Sequence, residues 1–460
     1  MEKDRKIYRR LVVVICLAAS LVPFMGSSLN LALPHINKEL NLTALTSSWL
    51  QTTYLLSTAI FQIPAARVAD ILGRKKIFLA GILLFCLSSL FSVFSTSGEM
   101  LLFHRFIMGV GSAMTFSTSM AILVAKTPEA KRGKALGINT AAVYFSLASA
   151  PIIGGALTQH LGWKSIFITS AIISLITFIG GLLYIKDEWK TEGKSAFDYL
   201  GSLLYAIGLS TLIYGFSNLP NTSGFLLALL GSIVLFYFAQ YEKRQANPVF
   251  NITLFLRNRV FRMSLLSALI NYSSTYAISF MLSIYLQYVR GLSPQNAGLI
   301  LVAQPIIMTF VTIKAGSLSD RRSPTLLATL GMFIVSIGLV CLSFLNETIS
   351  FTYIIGVLLF LGFGFGLFSS PNTNIIMGSV TQADYSGASA SIGTMRLTGQ
   401  AFSMGLATMA FSLTIGNHTF ESVDKNLLIL ATRITFIVST ILCLIGVYTS
   451  SIRKKQHIKL

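Results

Sequence analysis

The stretch ARVADILGRKK, residues 66–76, closes one apolar segment and opens the next, and GSLSDRRSP at 316–324 repeats its plan. When the two stretches are aligned, Asp70 stands opposite Asp320, at an offset of 250 positions. A charged loop that recurs between apolar segments at so large a separation indicates an internal duplication.

Two further pairs of segments repeat in the same order. GVGSAMTFSTSMAIL, from Gly109, is echoed by GFGFGLFSSPNTNII, from Gly362, at an offset of 253. GKALGINTAAV, from Gly133, is echoed by GASASIGTMRL, from Gly387, at an offset of 254. Parallel repeats related by an axis normal to the membrane are typical of proteins that work by alternating access, with the substrate held between the repeats.

The composition is that of a membrane protein. Of 460 residues, 53% are hydrophobic and 11% are charged, and the mean hydropathy is +0.72. Apolar runs of about 20 residues, each long enough to cross a hydrocarbon core of roughly 30 Å, recur along the chain. The run that follows the basic N-terminus is too long for a signal-peptide core and lacks a small-residue cleavage site, so we interpret it as a retained first span.

Breaks made by charged residues, Gly, Pro and Asn divide the apolar runs into fourteen candidate spans. The spans begin near residues 11, 49, 77, 101, 134, 164, 198, 224, 260, 295, 324, 351, 385 and 427. The pair between 198 and 241 is joined by NLPNTS at 218–223, a turn-forming sequence, and counting it as two spans makes the total even. We therefore predict an all-α membrane protein with fourteen transmembrane helices.

Lys and Arg residues are distributed unequally between alternate loops. Starting from a cytoplasmic N-terminus, the inner segments hold 28 of the 35, the outer loops hold four and the spans hold three. Cytoplasmic loops carry the excess of positive charge, so we predict a multi-pass protein of the cell (plasma) membrane with both termini in the cytoplasm. Because topology accounts for the net charge of +19, we expect no nucleic-acid partner.

The repeat and the span count together predict the domain organisation. Residues 1–190 form an N-terminal six-helix half, and residues 246–460 form a C-terminal six-helix half. Residues 191–245 hold two further transmembrane helices, which are inserted between the halves.

These segments together resemble the major facilitator superfamily, and within it the fourteen-span drug:proton antiporters that include multidrug and tetracycline efflux pumps. ARVADILGRKK is similar to the family's loop between spans 2 and 3, RFIMGVGSAM from Arg105 to its span-4 motif, and SLASAPIIGG at 146–155 to its span-5 antiporter signature. LQYVRGLSPQNAGL and GFGLFSSPNTNIIMGSV read like family spans 9 to 12. The resemblance implies a monomeric secondary transporter without cofactors, which exports amphipathic drugs or toxic compounds in exchange for protons.

The same resemblance implies a gate built from two of these motifs. Its residues are Asp70, Gly73, Arg74, Lys75, Pro151, Gly154, Gly155 and, by the repeat, Asp320. A carboxylate at the inner mouth of span 2 can cap the positive end of a neighbouring helix in one conformation and release it in another. The small residues and proline of span 5 permit close helix approach and bending. The alternatives are topogenic charge for the loop and ordinary close packing for span 5.

Arg105 and Arg396 lie inside spans 4 and 13. A charge at mid-span costs roughly 2.5–3.5 kcal/mol on insertion scales and normally faces the bundle interior or a wet cavity. Arg105 is close to the start of its span, so snorkelling to the outer interface is the alternative. Arg396 lies deeper in its span, and we predict a functional or network role for it.

Polar and adaptable side chains of the spans are predicted to line a substrate cavity. The set is Asn30, Gln51, Tyr54, Arg105, Met108, Asn139, Tyr144, Gln287, Asn372, Asn374 and Arg396, and Asn271 belongs to the same polar group. Each member taken alone can instead form a hydrogen bond between helices.

The spans carry no carboxylate near mid-membrane. All sixteen acidic residues fall in loops or near span ends, and Met25 stands where many relatives have Asp in span 1. A cavity with fixed Arg charge and no buried acid favours neutral or anionic compounds over cations. Export of an anionic metabolite or lipid-like acid is therefore the alternative to proton-coupled drug efflux.

Three other functional classes are disfavoured by the residue pattern. The nearest match to a phosphate-binding loop, Gly193-Lys194-Ser195, has Glu188 where the first Gly is required, which argues against an ATP-driven pump. The five His are scattered, so we expect neither an enzyme nor a metal cofactor. The twofold repeat is typical of transporters rather than channels.

Overall fold

The structure, a computed structural model, describes residues 2–127, 132–189, 197–245, 248, 250, 252–319, 321–381 and 385–453. In these residues the chain forms fourteen long helices, and a six-residue helix, Ile252–Arg257, precedes the ninth. The long helices are α1 (Glu2–Leu40), α2 (Ala44–Leu72), α3 (Arg74–Ser92), α4 (Gly98–Lys126), α5 (Arg132–Leu161), α6 (Lys164–Tyr184), α7 (Tyr199–Ser217), α8 (Thr222–Glu242), α9 (Arg259–Val289), α10 (Pro294–Ser319), α11 (Pro324–Leu342), α12 (Phe351–Gly378), α13 (Tyr385–Thr414) and α14 (Lys425–Ser451).

Thirteen of these fourteen helices are long and apolar enough to cross a membrane. The exception, α13, has the length, at 30 residues, but it carries Arg396 and many Ser, Thr and Gly residues. A span that faces polar surroundings inside a bundle tolerates such a composition. The predicted all-α membrane architecture is confirmed.

The observed helices begin within a few residues of the predicted positions, and the largest differences are at α1 and α2. Helix α1 begins at Glu2 instead of 11, so the basic N-terminal segment is helical. Helix α2 begins at Ala44 instead of 49, because the Thr43 hydroxyl accepts a hydrogen bond from the Thr46 N–H at 3.1 Å and caps the helix. Helix α2 therefore begins before its apolar run does.

Contacts divide the chain into two compact units. Unit 1 comprises Met1–Ala206 and Ser293–Gly298, and unit 2 comprises Ile207–Leu292 and Leu299–Leu460. Unit 1 thus contains α1 to α6 together with the first residues of α7 and of α10. The predicted domain boundaries at 190 and 245 stay a prediction.

Helix packing within each unit repeats at the offsets found in the sequence. In unit 1, a Cβ atom on Gly111 would lie 2.7 Å from the carbonyl oxygen of Gly81, so α3 and α4 touch backbone to backbone. In unit 2, a Cβ atom on Gly364 would lie 2.9 Å from the carbonyl oxygen of Gly331, where α11 meets α12. Gly331 follows Gly81 by 250 positions, and Gly364 follows Gly111 by 253. The duplication is therefore structural as well as sequential.

The two helices α7 and α8 form a hairpin, as NLPNTS predicted. A Cβ atom on Gly231 of α8 would lie 2.7 Å from the Cα atom of Leu212 on α7, so the helices pack through small residues. The outward side of α8 carries exposed apolar side chains, among them Leu230, Ile233 and Phe236. This surface has the composition that a lipid-facing helix requires.

Helix α9 is interrupted twice. It breaks at Tyr276 and finishes as a π-helix over Tyr285–Val289, followed by Gly291 with φ +65°. Gln287, one of the predicted lining residues, lies in this π-helical turn, and its Nε2 atom donates to the Ser283 hydroxyl at 2.9 Å. Such turns are frequent at functional sites.

Candidate substrate site and gate

Arg105 is completely buried in unit 1 and does not snorkel. Its Nε atom donates to the carbonyl oxygen of Leu50, and its Nη2 atom donates to Oε1 of Gln51, both at 3.0 Å. The guanidinium carbon lies 4.2 Å from the centre of the Tyr54 ring. A cation held by a carbonyl, an amide and an aromatic face is stabilised at three positions of one neighbouring helix, α2.

The network around Arg105 continues from α2 into α1. The Nε2 atom of Gln51 donates to Oδ1 of Asn30 at 2.6 Å and to the carbonyl oxygen of Gly26 at 2.8 Å. The Tyr54 and Ser112 hydroxyls are hydrogen-bonded at 2.8 Å, which returns the network to α4. Three helices are thus joined by one buried polar layer, which both explains how these groups are tolerated in a span and fixes the register of the helices.

Five predicted lining residues therefore lie together in the structure: Asn30, Gln51, Tyr54, Arg105 and Met108, whose sulfur atom is 3.4 Å from Nη1 of Arg105. The side chains of all five residues are buried, so they contact other protein groups and do not border an open space. Their role in substrate binding stays a prediction.

The two predicted lining residues of α5 lie apart from this network. Asn139 is buried and Tyr144 is half-buried, both in the first half of the helix. Further along, α5 is fastened to α1: the Ser146 hydroxyl donates to the carbonyl oxygen of Ser20 at 2.7 Å, and the Ser28 hydroxyl donates to that of Ala150 at 3.1 Å. The two polar residues of α5 therefore lie in the same helix as its close contact with α1, but nearer to its N-terminus.

In unit 2 the predicted residues separate. Asn372 is buried, and its Nδ2 atom donates to the carbonyl oxygen of Ser264 at 3.3 Å. Asn374 is exposed and donates to the Ser319 hydroxyl at 2.6 Å. Two residues apart on a helix point in nearly opposite directions, so Asn372 and Asn374 have different surroundings, and their role in lining a cavity stays a prediction.

Arg396 of α13 is half-buried beside an aromatic pair. Its guanidinium carbon lies 5.9 Å from the centre of the Tyr272 ring on α9. Tyr272 in turn meets Phe365 of α12 edge to face, with ring centres 5.6 Å apart. The charge of Arg396 is therefore presented against an aromatic surface inside unit 2.

The loop after α2 is organised by a residue that the motif does not contain. Gly73 has φ +115°, and a Cβ atom there would lie 2.5 Å from Oε1 of Glu188. The same Oε1 atom accepts a hydrogen bond from the Lys75 N–H at 2.8 Å, and the Arg74 N–H donates to the carbonyl oxygen of Trp189 at 3.0 Å. The carboxylate of Glu188 thus sits at the positive N-terminal end of α3.

Asp70, predicted to cap a neighbouring helix in one conformation of the gate, pairs in this structure with the first residue of α3, and its gating role stays a prediction. One carboxylate oxygen accepts from Nη2 of Arg74 at 3.0 Å and from Nε at 3.1 Å. Next to Glu188, Asp187 pairs with Lys126 at the end of α4. The segment that leaves α6 therefore ties together the ends of α3 and α4, with Asp70 beside it. Asp320, the counterpart of Asp70 in the repeat, lies outside the described residues.

The small residues of span 5 make backbone contacts, as the motif predicted. A Cβ atom on Gly154 would lie 2.7 Å from the Cα atom of Ser28 on α1. A Cβ atom on Gly155 would lie 2.6 Å from the carbonyl oxygen of Pro294. A Cβ atom on Gly298 would clash with the carbonyl oxygen of Pro151. Helix α5 therefore packs directly against α1 on one side and against the first turns of α10 on the other.

A family model described as Major Facilitator Superfamily matches residues 15–404. The chain belongs to this superfamily. Its family and fold are those of membrane transporters rather than enzymes.

Several similar proteins have names that state a function. The transporter is 28% identical, over 95% of both chains, to the riboflavin transporter RibZ of Clostridioides difficile. It is 28% identical to the multidrug resistance protein Stp of Mycobacterium tuberculosis, over 76% of this chain and 66% of that one. A solved structure of a bacterial homolog of the human lysosomal transporter Spinster, inward-facing and unoccupied, shares the fold with a TM-score of 0.72, 15% identity and 97% coverage of both chains.

Sequence reasoning missed the partners that complete these sites in the transporter. Glu188 and Trp189 were assigned only to an inner loop, and Ser112 and Ser264 were not singled out. The sequence offered one hint. The acidic residues of KDEW, Asp187 and Glu188, directly follow a span and are not close to the predicted start of the next one. Their position against α3 depends on tertiary packing, which no local pattern reports.

Proposed function

We propose that this transporter exports amphipathic small molecules in exchange for protons by alternating access. The observation that carries the proposal is the contact of α5 with the start of α10, in which glycines bring backbone against backbone. The contact is made by glycine backbone, together with hydrogen bonds between Gln295 and the side chains of Gln159 and His160, so the helices can separate and meet again without repacking an apolar core. The relative named as a multidrug resistance protein supports export.

Transport of a neutral planar heterocycle is a second candidate. The relative that aligns over 95% of both chains is named as a riboflavin transporter, and riboflavin is uncharged. The carboxylate-free middle of the spans also favours uncharged compounds over cations. Export of an anionic metabolite is a third candidate. The same charge argument supports it, and the vesicle uptake of charged and neutral probes described below distinguishes it from the other two.

Both termini are proposed to be cytoplasmic, with the protein a monomer in the cell membrane. In a variant without the four native cysteines, Thr222→Cys should react with a membrane-impermeant maleimide added to intact cells, because Thr222 is exposed at the start of α8, next to the turn that joins it to α7. Arg322→Cys, exposed in a predicted inner loop, is the matched control and should react only after permeabilisation. Labelling of Thr222→Cys only after permeabilisation would contradict the fourteen-span topology.

Reconstituted vesicles test coupling and charge preference together. One coumarin scaffold bearing a trimethylammonium, hydroxymethyl or carboxylate group provides matched cationic, neutral and anionic probes. In inside-out vesicles with an acidic interior, we expect uptake of the neutral or anionic probe, and its loss when nigericin collapses the pH gradient. Uptake that persists after collapse would contradict proton coupling.

The same probes test the origin of the charge preference. Met25 is buried in α1, next to Gly26, whose carbonyl oxygen binds Gln51. We expect Met25→Asp to shift the preference towards the cationic probe, because it adds a negative charge beside this network. If the wild type takes up the trimethylammonium probe best, the charge argument is wrong.

A further inference from the structure

A cavity of about 500 Å³ opens in unit 2, where the loop between α11 and α12 meets the first turns of α14. Its volume lies within the range of about 300–1,000 Å³ that small-molecule sites occupy. The loop lines the cavity with Asn346, Glu347 and Thr348. One face of α14 lines the opposite side, with residues that include Leu430 and Arg433.

The loop side of the cavity is held in place by groups at the end of α9. The Tyr285 hydroxyl donates to the carbonyl oxygen of Asn346 at 2.7 Å, and Nη1 of Arg290 donates to that of Ile349. Within the loop, Oδ1 of Asn346 accepts from the Thr348 N–H at 2.9 Å and from the Thr348 hydroxyl at 3.0 Å. The backbone of this wall is therefore hydrogen-bonded to the rest of unit 2 without the help of a ligand.

Arg433 presents the open edge of its guanidinium group to the cavity. The Nε atom donates to the carbonyl oxygen of Leu345 at 2.7 Å, which fixes the plane of the group. Within the part of the chain that the structure describes, neither Nη atom forms a hydrogen bond or an ion pair, although the side chain is half-buried. Two parallel N–H groups of this kind bind two oxygens of a phosphate or a carboxylate.

Glu347 places a negative charge in the same cavity without pairing with Arg433. Its side chain is exposed, and among the described residues its carboxylate forms neither a hydrogen bond nor an ion pair. Two opposite charges that line one cavity and stay apart leave room between them for a molecule that carries both charges. A phosphate at one end and a primary ammonium at the other would satisfy both residues.

An exposed apolar strip of α14 begins at this cavity. Leu430 lines the cavity and is 45% exposed, and Ile437, Ile441 and Leu444 follow it on the same face with about half of each side chain exposed. A strip of this kind on a membrane span faces lipid. A ligand of the cavity can therefore extend acyl chains along α14, which distinguishes a lipid from a soluble zwitterion.

We propose that this cavity binds the headgroup of a phosphatidylethanolamine, with the phosphate on Arg433, the ammonium on Glu347 and the acyl chains along the apolar strip of α14. Headgroups lie where spans end, and Arg433 is at that level because it bonds the loop that follows α11. In the predicted topology this is the outer leaflet. Glu347 sets the specificity, because a carboxylate accepts hydrogen bonds from an ammonium but none from the trimethylammonium of a choline lipid. The site does not depend on the direction or the coupling of transport.

Competition between two lipids that differ only at the headgroup nitrogen tests the site. The full-length transporter, purified in detergent, is mixed with equal amounts of dioctanoyl phosphatidylethanolamine and dioctanoyl phosphatidylcholine, and the bound lipids are identified by native mass spectrometry. We expect the ethanolamine lipid to be bound in at least about fivefold excess, because methylation removes the N–H groups that face Glu347. Equal binding of the two lipids would overturn the proposal.

Variants separate the roles of the two charges. Glu347→Gln should abolish the preference for the ethanolamine lipid and leave the melting temperature of the lipid-free transporter unchanged, because the carboxylate bonds no described residue. Glu421→Gln, which changes an exposed acid outside the cavity, is the matched control and should keep the preference. Arg433→Gln should weaken binding of both lipids, because both carry the phosphate. A preference that survives Glu347→Gln, or that Glu421→Gln also removes, would contradict the site.

A soluble competitor identifies the source of the headgroup. Glycerophosphoethanolamine carries the same phosphate and ammonium but no acyl chains. At a concentration equal to that of the lipids we expect it to displace neither, because it lacks the contact with the apolar strip. Displacement of the ethanolamine lipid would mean that the cavity takes a soluble phosphoethanolamine compound, and the assignment to a membrane lipid would be wrong.

Discussion

Arg105→Ala should lower the melting temperature by several degrees and reduce transport at least about tenfold. The guanidinium group satisfies the carbonyl oxygen of Leu50 and Oε1 of Gln51, and its removal leaves both buried acceptors without this donor. It also leaves a cavity beside Tyr54. Breaking a buried charged network by deleting one member costs about 3 kcal/mol or more. Thermal unfolding in detergent and uptake of the neutral coumarin probe measure the two effects.

Arg105→Lys separates the charge from the shape of the side chain. Lysine keeps the positive charge but cannot bond the Leu50 carbonyl and the Gln51 amide through a planar fork, so we expect an intermediate loss. Arg322→Ala, which removes an exposed guanidinium group, is the control and should behave like wild type. A wild-type melting temperature for Arg105→Ala would mean that α1, α2 and α4 do not depend on this polar layer.

Gly73→Ala should destabilise the loop between α2 and α3, because Gly73 has a positive φ of +115°. A residue with a side chain pays about 1–3 kcal/mol to hold a positive φ of this kind. The new Cβ would also displace Glu188 from the end of α3, where its carboxylate receives the Lys75 N–H. We expect a lower melting temperature and transport slowed about tenfold. Gly137→Ala is the matched control, because a Cβ atom on Gly137 would meet no atom within 4 Å.

A double substitution separates backbone strain from the steric clash. In Gly73→Ala with Glu188→Ala the clash disappears while the strained backbone remains, so part of the loss should be recovered relative to Gly73→Ala alone. Glu188→Gln, which keeps an acceptor for the Lys75 N–H, should remain close to wild type in stability. If Glu188→Ala alone is silent and recovers nothing, the segment after α6 does not hold the loop, and only the conformation of Gly73 matters.

The fold was predictable because its determinants are local and repeated. Apolar runs of sufficient length and the three sequence echoes led to the correct helices, and α2 differed only because Thr43 caps it earlier than the apolar run begins. The spacing of 250 to 253 recurs in the packing of Gly81 with Gly111 and of Gly331 with Gly364. Helix-to-helix glycine contacts of this kind follow from the repeat once the helices are known.

The sites were predictable only in part. Burial of Arg105 follows from the cost of a charge in a span, but its partners depend on the rotation of α2 and α4, which sequence periodicity leaves open. Asn372 and Asn374 looked equivalent in the sequence, and only helix geometry makes one buried and the other exposed. Glu188 was missed because it reaches α3 across more than 100 positions of chain.

The discontinuity of unit 1 has a consequence for how the protein is made. The helices α1 to α6 leave the ribosome first and can pack on one another, yet Pro151 and Gly155 meet their partners only when residues 294–298 have been synthesised. Until then the backbone of α5 lacks these partners, and the nascent bundle is incomplete. A chain cut after residue 245 should therefore insert with an exposed face of α5 and become a substrate for membrane proteases. Co-expression of residues 246–460 as a separate polypeptide should protect it.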